Sequence, residues 1–187
     1  AHNPAYAAGI EQFRRLTKAR LVALFETSFY QWVPEPARRY AVPESWFEAG
    51  IRRYGFHGAS HKFIAERSAD FLGRDDIATR VRGLYRDGPG KEPEGKPLRV
   101  VSCHLGGSSS VTGIHNGVAV GTSMGLSPQS GLPQNNRVGD LDAMALPLAM
   151  EQLDLDLAEA LRQLTKESGL LGLSGHSNDL RDIGDRA

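Results

Sequence analysis

Leu98-Arg99-Val100-Val101-Ser102-Cys103 runs into His104-Leu105-Gly106-Gly107-Ser108-Ser109-Ser110, then Val111-Thr112-Gly113-Ile114, His115, Asn116-Gly117 and Val118-Ala119-Val120. The apolar stretches are of strand length and carry β-branched residues. Asn116-Gly117 is the pair that a type I′ turn demands, because both central residues of that turn take positive φ. The spacing therefore predicts a strand over 98–103, a sharp Gly/Ser turn over 104–110, a strand over 111–114 and a return strand after the hairpin. The Gly/Ser turn closes one end of a small antiparallel unit.

Upstream, Tyr6, Ile10, Phe13 and Leu16 repeat at close to helical spacing, which predicts a helix over 6–18. Leu21-Val22-Ala23-Leu24-Phe25 is a short continuous apolar run and reads as a buried strand of a helix-covered sheet. Pro34, Pro36 and Pro43 divide the next stretch into turns and short helical pieces. A helix is expected over 60–71, with Gly73 as its stop. Residues 82–97 are charged and rich in Gly and Pro, so they read as a surface loop that builds no core. Downstream, helices are expected over 141–153 and 155–166, the second packing through Leu157, Leu161 and Leu164. Helices alternating with short strands indicate the α/β class.

At 187 residues the chain buries a real core, and its 22 basic and 22 acidic residues leave no bulk field for nucleic acid or an anionic membrane. Any anion site must be local. Cys103 is the only cysteine, which fits a reducing compartment, and no apolar run is long enough to span a bilayer. A cytoplasmic location follows as the expectation.

Four segments could carry chemistry. The turn over 104–110 offers glycines for close backbone approach and serine hydroxyls as donors, which suits a phosphate; it also reads as a plain hairpin loop. His57-Gly58-Ala59-Ser60-His61 stands at the start of a helix, where partial positive charge favours an anion. A capping or core histidine is the alternative there, and zinc lacks a third ligand. Arg137, beside Gly139, Asp140 and Asp142, is either a phosphate clamp held by carboxylates or a surface ion pair next to a helix cap. Asp179-Leu180-Arg181-Asp182 reads as a solvated charged face or a ligand contact.

The order of these segments matches a known pattern. Arg52-Arg53-Tyr54-Gly55-Phe56-His57-Gly58-Ala59-Ser60-His61-Lys62 resembles the acetate kinase family signature almost letter for letter. It is followed by Cys103-His104-Leu105-Gly106, Thr122-Ser123-Met124-Gly125, the Arg137 segment, and Ser168-Gly169-Leu170-Leu171-Gly172-Leu173-Ser174-Gly175, each similar to the family's segment at that place. His2-Asn3-Pro4 is similar to a segment ahead of the family's central strand.

This resemblance implies a ribonuclease H-like fold, shared with actin, sugar kinases and heat-shock chaperones, of which the chain holds an incomplete portion of a two-domain kinase. Residues 1–81 would be the later part of an acid-binding domain, 82–97 a loop, and 98–187 the start of a nucleotide-binding domain. It implies phosphate transfer between ATP and acetate, giving acetyl phosphate and ADP with Mg2+, in a cytoplasmic homodimer without nucleic-acid or membrane partners. Glu26, His57 and Arg137 would be catalytic. His104, Leu105, Gly106, Gly107 and Ser108 would meet the ATP phosphates, and Asp179, Leu180 and Arg181 the adenosine side. The main protein ligands of Mg2+ are expected outside this chain, which as a central fragment is expected to have little activity. Glu26 stands where the family normally has Asp, Gly107 and Ser108 where it has Asn and Gly, and Asn135-Asn136 where it commonly has Gly-Thr. These departures mark an outlying subfamily. Propionate or butyrate kinases, and a nucleotide-binding protein without transfer activity, are the competing readings.

Overall fold

The computed structural model describes residues 3–186. Helix α1 spans Asn3–Leu16, so the predicted periodicity holds, while His2 lies outside the described residues. Its stripe finds no cover: Ile10, Phe13 and Leu16 are all exposed. The predicted strand at Leu21–Phe25 does not form. The run carries no regular secondary structure, with Val22 82 % exposed. An apolar run becomes a buried strand only beside another strand, and none of the described residues supplies one here.

A short 3-10 turn (Ser28–Tyr30) follows, then the short helices α2 (Glu35–Arg38) and α3 (Glu44–Glu48), each entered through a proline. Helix α4 covers Gly58–Phe71, two residues longer at its start than expected. Helix α5 covers Asp75–Asp87, so the loop predicted over 82–97 begins only at Gly88. Composition concealed this helix: its charged residues other than Arg80 face solvent, while Ile77, Ala78, Val81 and Leu84 form one buried stripe. Nor does the remaining loop wander. Arg80 donates to the Pro89 carbonyl, to Glu92 and to the Asn116 carbonyl, and Asn116 Nδ2 donates to Glu92.

Strands β1 (Arg99–Leu105), β2 (Ser109–His115) and β3 (Val118–Thr122) form an antiparallel sheet in that order. Asn116 and Gly117 take φ of 47° and 83°, as the type I′ assignment requires. In β2, residues 110, 112 and 114 face inward. Helices α4 and α5 and the 3-10 turn cover that face through Phe29, Tyr30, Ala65, Ala69, Ile77 and Leu84. The small Ala65 and Ala69 let α4 lie close on the sheet, with His61 one turn earlier on the same stripe. On the opposite face Val101, Cys103 and Leu105 are exposed.

The remainder is helical: α6 (Ala145–Gln152), α7 (Leu157–Lys166), α8 (Gly169–Ser174) and α9 (Leu180–Gly184). The expected α7 contact through Leu157 and Leu161 is not made. Both remain exposed, and Ala160 is the buried residue of that helix. Among the described residues no helix is long and apolar enough to cross a membrane.

Candidate active site

The site is assembled where the N-terminus of α4 meets the β1–β2 end of the sheet. His57 caps α4 with φ 60° and ψ 29°, the left-handed region, which costs a non-glycine residue roughly 1–2 kcal/mol. Its neighbours hold it there. The Tyr30 hydroxyl donates to the Phe56 carbonyl just before it, and the Gly58 amide donates 2.8 Å to the Glu26 carbonyl just after it. That approach admits only glycine, since a Cβ on residue 58 would lie 2.3 Å from the Glu26 oxygen.

Three imidazoles converge. His57 Nδ1 is 2.8 Å from Ser110 Oγ, and the fully buried His61 places Nε2 2.8 Å from the same oxygen. His61 Nδ1 is 2.8 Å from Ser102 Oγ, and His104 Nδ1 is 3.0 Å from Ser60 Oγ. The His57 and His104 rings stack with centroids 3.9 Å apart. Burial, then the neighbouring His104 and Arg137 charges, push His57 down to about 4. Burial, then His57 and His104, push His61 down to about 4 as well. Both are neutral at pH 7. With both ring nitrogens of His61 engaged by serines, the His57–His61 pair does not form a metal site. Among the described residues no group of three His, Cys, Asp or Glu side chains is arranged to hold a metal ion.

Arg137 approaches from the far side of the Gly/Ser turn. Its Nη1 donates to Ser108 Oγ and the Pro128 carbonyl, both at 3.1 Å, and to Gln134 Oε1 at 3.3 Å. Nε and Nη2 have no partner, and Arg137 forms no ion pair among the described residues; the carboxylate-held clamp is not what forms. Instead, Asp140 accepts from the Gly131 amide and Asp142 from the Met144 amide. Backbone pairing fixes the arginine's segment: the Ser168, Leu170 and Leu171 amides donate to the Asn136, Gln134 and Asn135 carbonyls. Gly169 permits this contact, since a Cβ there would lie 2.0 Å from the Gln134 oxygen.

Within the turn, Gly106 N donates to Ser108 O, while the Gly107 and Ser108 amides have no hydrogen-bond partner among the described residues. Two free amides beside an unpaired guanidinium form a cradle for an anion. Leu105 turns its side chain to the outer face, 72 % exposed, so only its backbone belongs to this turn.

His57, His104, Gly106, Gly107, Ser108 and Arg137 are thus brought together. Glu26 contributes its backbone carbonyl to the α4 entry, and its exposed carboxylate makes no hydrogen bond or ion pair among the described residues. Asp179 caps α9 and pairs with Arg181, and Leu180 is exposed. No hydrogen bond joins these three to the histidine–arginine group. Sequence reasoning missed Ser102, Ser110, Ser60 and Gln134. The first two sit at inward positions of β1 and β2, which strand alternation could have flagged.

The acetokinase family model matches residues 1–82 and 91–187. The chain belongs to the acetokinase family. It is 42 % identical over 184 residues to the acetate kinase of Staphylococcus saprophyticus, covering 97 % of this chain and 41 % of that protein. It is 41 % identical to the acetate kinase of Bacillus subtilis, again over 97 % of this chain and 42 % of the relative. The crystal structure of Porphyromonas gingivalis acetate kinase superposes with a TM-score of 0.82 at 36 % identity, covering 98 % of this chain and 42 % of that one. A propionate kinase from Francisella tularensis gives 0.79 at 33 %, over 99 % and 43 %. The chain therefore spans about two fifths of the length of its relatives, and its fold is an incomplete portion of their ribonuclease H-like α/β architecture. The residues the family model leaves unmatched, 83–90, fall at the end of α5 and the start of the loop after it.

Proposed function

We propose that the full-length protein transfers phosphate between ATP and a short-chain carboxylate, with acetate as the first candidate. The observation that carries this reading is the Arg137 guanidinium, without an ion pair among the described residues, bonded to the Ser108 hydroxyl of the turn whose Gly107 and Ser108 amides are free, and close enough to neutral His57 to act on its charge. Phosphoryl transfer asks for positioning and for donors around charge on the moving group, and these side chains offer both. A carboxylate oxygen bonds to the γ-phosphorus as the bond to the β-phosphate oxygen breaks. ADP leaves, and no proton need move. In this scheme Arg137 meets the non-bridging oxygens through Nε and Nη2, and His57 donates from Nε2. The Gly106–Ser108 turn holds the nucleotide phosphates. Mg2+, when bound with the nucleotide, would neutralise phosphate charge, with its main protein ligands proposed to lie elsewhere in the protein.

Glu26 and the Asp179–Arg181 segment are proposed to reach substrate only in the complete protein. The uncovered faces of α1 and of the sheet support coverage by further chain or by a second subunit, consistent with a cytoplasmic homodimer. The 187-residue chain alone is proposed to be inactive.

Trapping acyl phosphate as its hydroxamate, with ATP and acetate, tests the reading. Turnover by the full-length protein, abolished in His57→Ala and Arg137→Ala while nucleotide binding persists, is expected. Full activity in both variants overturns it. The likeness to a propionate kinase supports a second reading, with propionate as acceptor, and the ratio of turnover on the two acids separates them.

A further inference from the structure

Resting on the reading of His57 as a donor to the phosphoryl group, we infer that Ser102, His61 and Ser110 form a hydrogen-bond relay that fixes which nitrogen of His57 carries its proton. The three act as positioning residues, with no contact to substrate.

A neutral imidazole has one N–H and one lone pair, so its usefulness as a donor depends on the tautomer. His57 Nδ1 faces Ser110 Oγ, and Nε2 has no partner among the described residues. To donate to a ligand, His57 must carry its proton on Nε2, so Nδ1 must accept from Ser110. Ser110 Oγ lies 2.8 Å from two ring nitrogens and owns one hydrogen. Giving that hydrogen to His57 requires it to accept from His61 Nε2–H. His61 then has a bare Nδ1, which must accept from Ser102.

The chain could run in either direction, and Ser102 decides. It is 3 % exposed, and His61 is its only hydrogen-bond partner among the described residues. If His61 donated to it, the Ser102 hydrogen would be left buried and unpaired, at the full desolvation penalty. If Ser102 donates, its hydrogen is satisfied. Only lone pairs remain open, which costs less. The relay therefore runs Ser102 O–H to His61 Nδ1, His61 Nε2–H to Ser110 Oγ, and Ser110 O–H to His57 Nδ1. His61 is inaccessible to ligand, so its part in the site is this transmission.

Long-range 1H–15N spectra of the 15N-histidine-labelled chain read the tautomers directly. His57 and His61 are both expected to be protonated on Nε2; Nδ1–H on either overturns the relay. Ser102→Asp puts an acceptor opposite His61 Nδ1 and should reverse every link, moving the His57 proton to Nδ1. The spectrum is taken at about pH 8.5, where His61 stays neutral beside the new carboxylate. An unchanged His57 in a folded Ser102→Asp chain overturns the relay. Should circular dichroism show that this variant is unfolded, Ser102→Ala decides instead: the His57 Nδ1 resonance must shift through the two intervening hydrogen bonds, and a fixed resonance overturns the proposal. In the full-length protein, the disrupted relay should lower kcat about tenfold or more, the size of one lost hydrogen bond, with KM for ATP nearly unchanged. Ser102→Thr, which keeps the hydroxyl, should restore it. The tautomer spectra stand whether or not the full-length protein transfers phosphate, so failure of the kinase reading and failure of the relay remain distinguishable.

Discussion

His57 and His104 lie face to face, with ring centroids 3.9 Å apart and planes 18° from parallel. A positive charge on one ring is therefore set against the face of the other. Together with burial and with Arg137 nearby, this makes the His57–His61 neighbourhood a place where protons are unwelcome.

Acid should unfold the protein through these groups. Folded His57 and His61 titrate at about 4, whereas the ordinary value is 6.5. Between those values the unfolded chain binds more protons, so stability rises with pH across the window. The contribution is fully present above 6.5 and is lost as pH falls toward 4. Urea midpoints measured from pH 7.5 down to pH 4.5 should fall, and the slope should flatten in a His57→Asn, His61→Gln double variant.

His57 should separate stability from activity. Removing one aimed donor from a transfer site lowers kcat by roughly 10²–10³. Both His57→Ala and His57→Gly should show that loss in the full-length protein. The left-handed backbone favours glycine, so His57→Gly should be the more stable of the two by about 1 kcal/mol, measured by urea unfolding.

Arg137→Lys keeps a charge but loses the fork that lets one nitrogen hold Ser108, Pro128 and Gln134 while Nε and Nη2 have no partner among the described residues. If the arginine serves the moving phosphoryl group, removing it should cost roughly 10³–10⁵ in kcat, and lysine should recover little of that. Steady-state kinetics of the full-length Arg137→Ala and Arg137→Lys proteins check this.

Gly58→Ala should be strongly disruptive for its size. The added methyl would sit 2.3 Å from the Glu26 carbonyl oxygen, so the α4 entry must shift. A cost of about 1–3 kcal/mol is expected from such overpacking. Thermal unfolding reads it, and Ala59→Gly, one residue along, serves as the comparison.

Arg80→Ala should free the 88–97 loop. Its guanidinium is 9 % exposed and ties together the Pro89 carbonyl, the Asn116 carbonyl and Glu92. Truncation leaves those carbonyls unpaired, at about 1–3 kcal/mol. Limited proteolysis should then cut near Gly90–Gly95 at a markedly higher rate.

The hairpin turn was readable to the residue because Asn116-Gly117 is a local signal; the strand ends were missed by up to two residues, since β1 and β2 extend to Leu105 and from Ser109 and shrink the expected 104–110 turn to 106–108. The His57, His104 and Arg137 segments were readable because each carries its own short pattern. What failed depended on distant partners. Leu21–Phe25 has the composition of a buried strand but no neighbour here to make it one. The α5 stripe was masked by the arginines on its outer side, and no spacing rule says that Ser102 and Ser110 would bracket His61. Arg137 was legible as an anion-binding candidate. Its actual support, the Ser108 hydroxyl, the Pro128 carbonyl and the side-chain oxygen of Gln134, was not.

The hairpin also sets a parity condition on the chemistry. Ser110, Thr112 and Ile114 face inward because each stands an even number of positions before Asn116, where the turn fixes the count. Inserting a single residue between Ser110 and Asn116 would bring Val111 to the place of Ser110, deleting one would bring Ser109 there, and either change turns the hydroxyl of Ser110 outward. A single-residue change of length there needs a bulge to restore the register, of the kind the β2–β3 pairing already carries between Gly113 and Ile114. The identity of the group that touches His57 is thus decided at a turn on the opposite end of the strand.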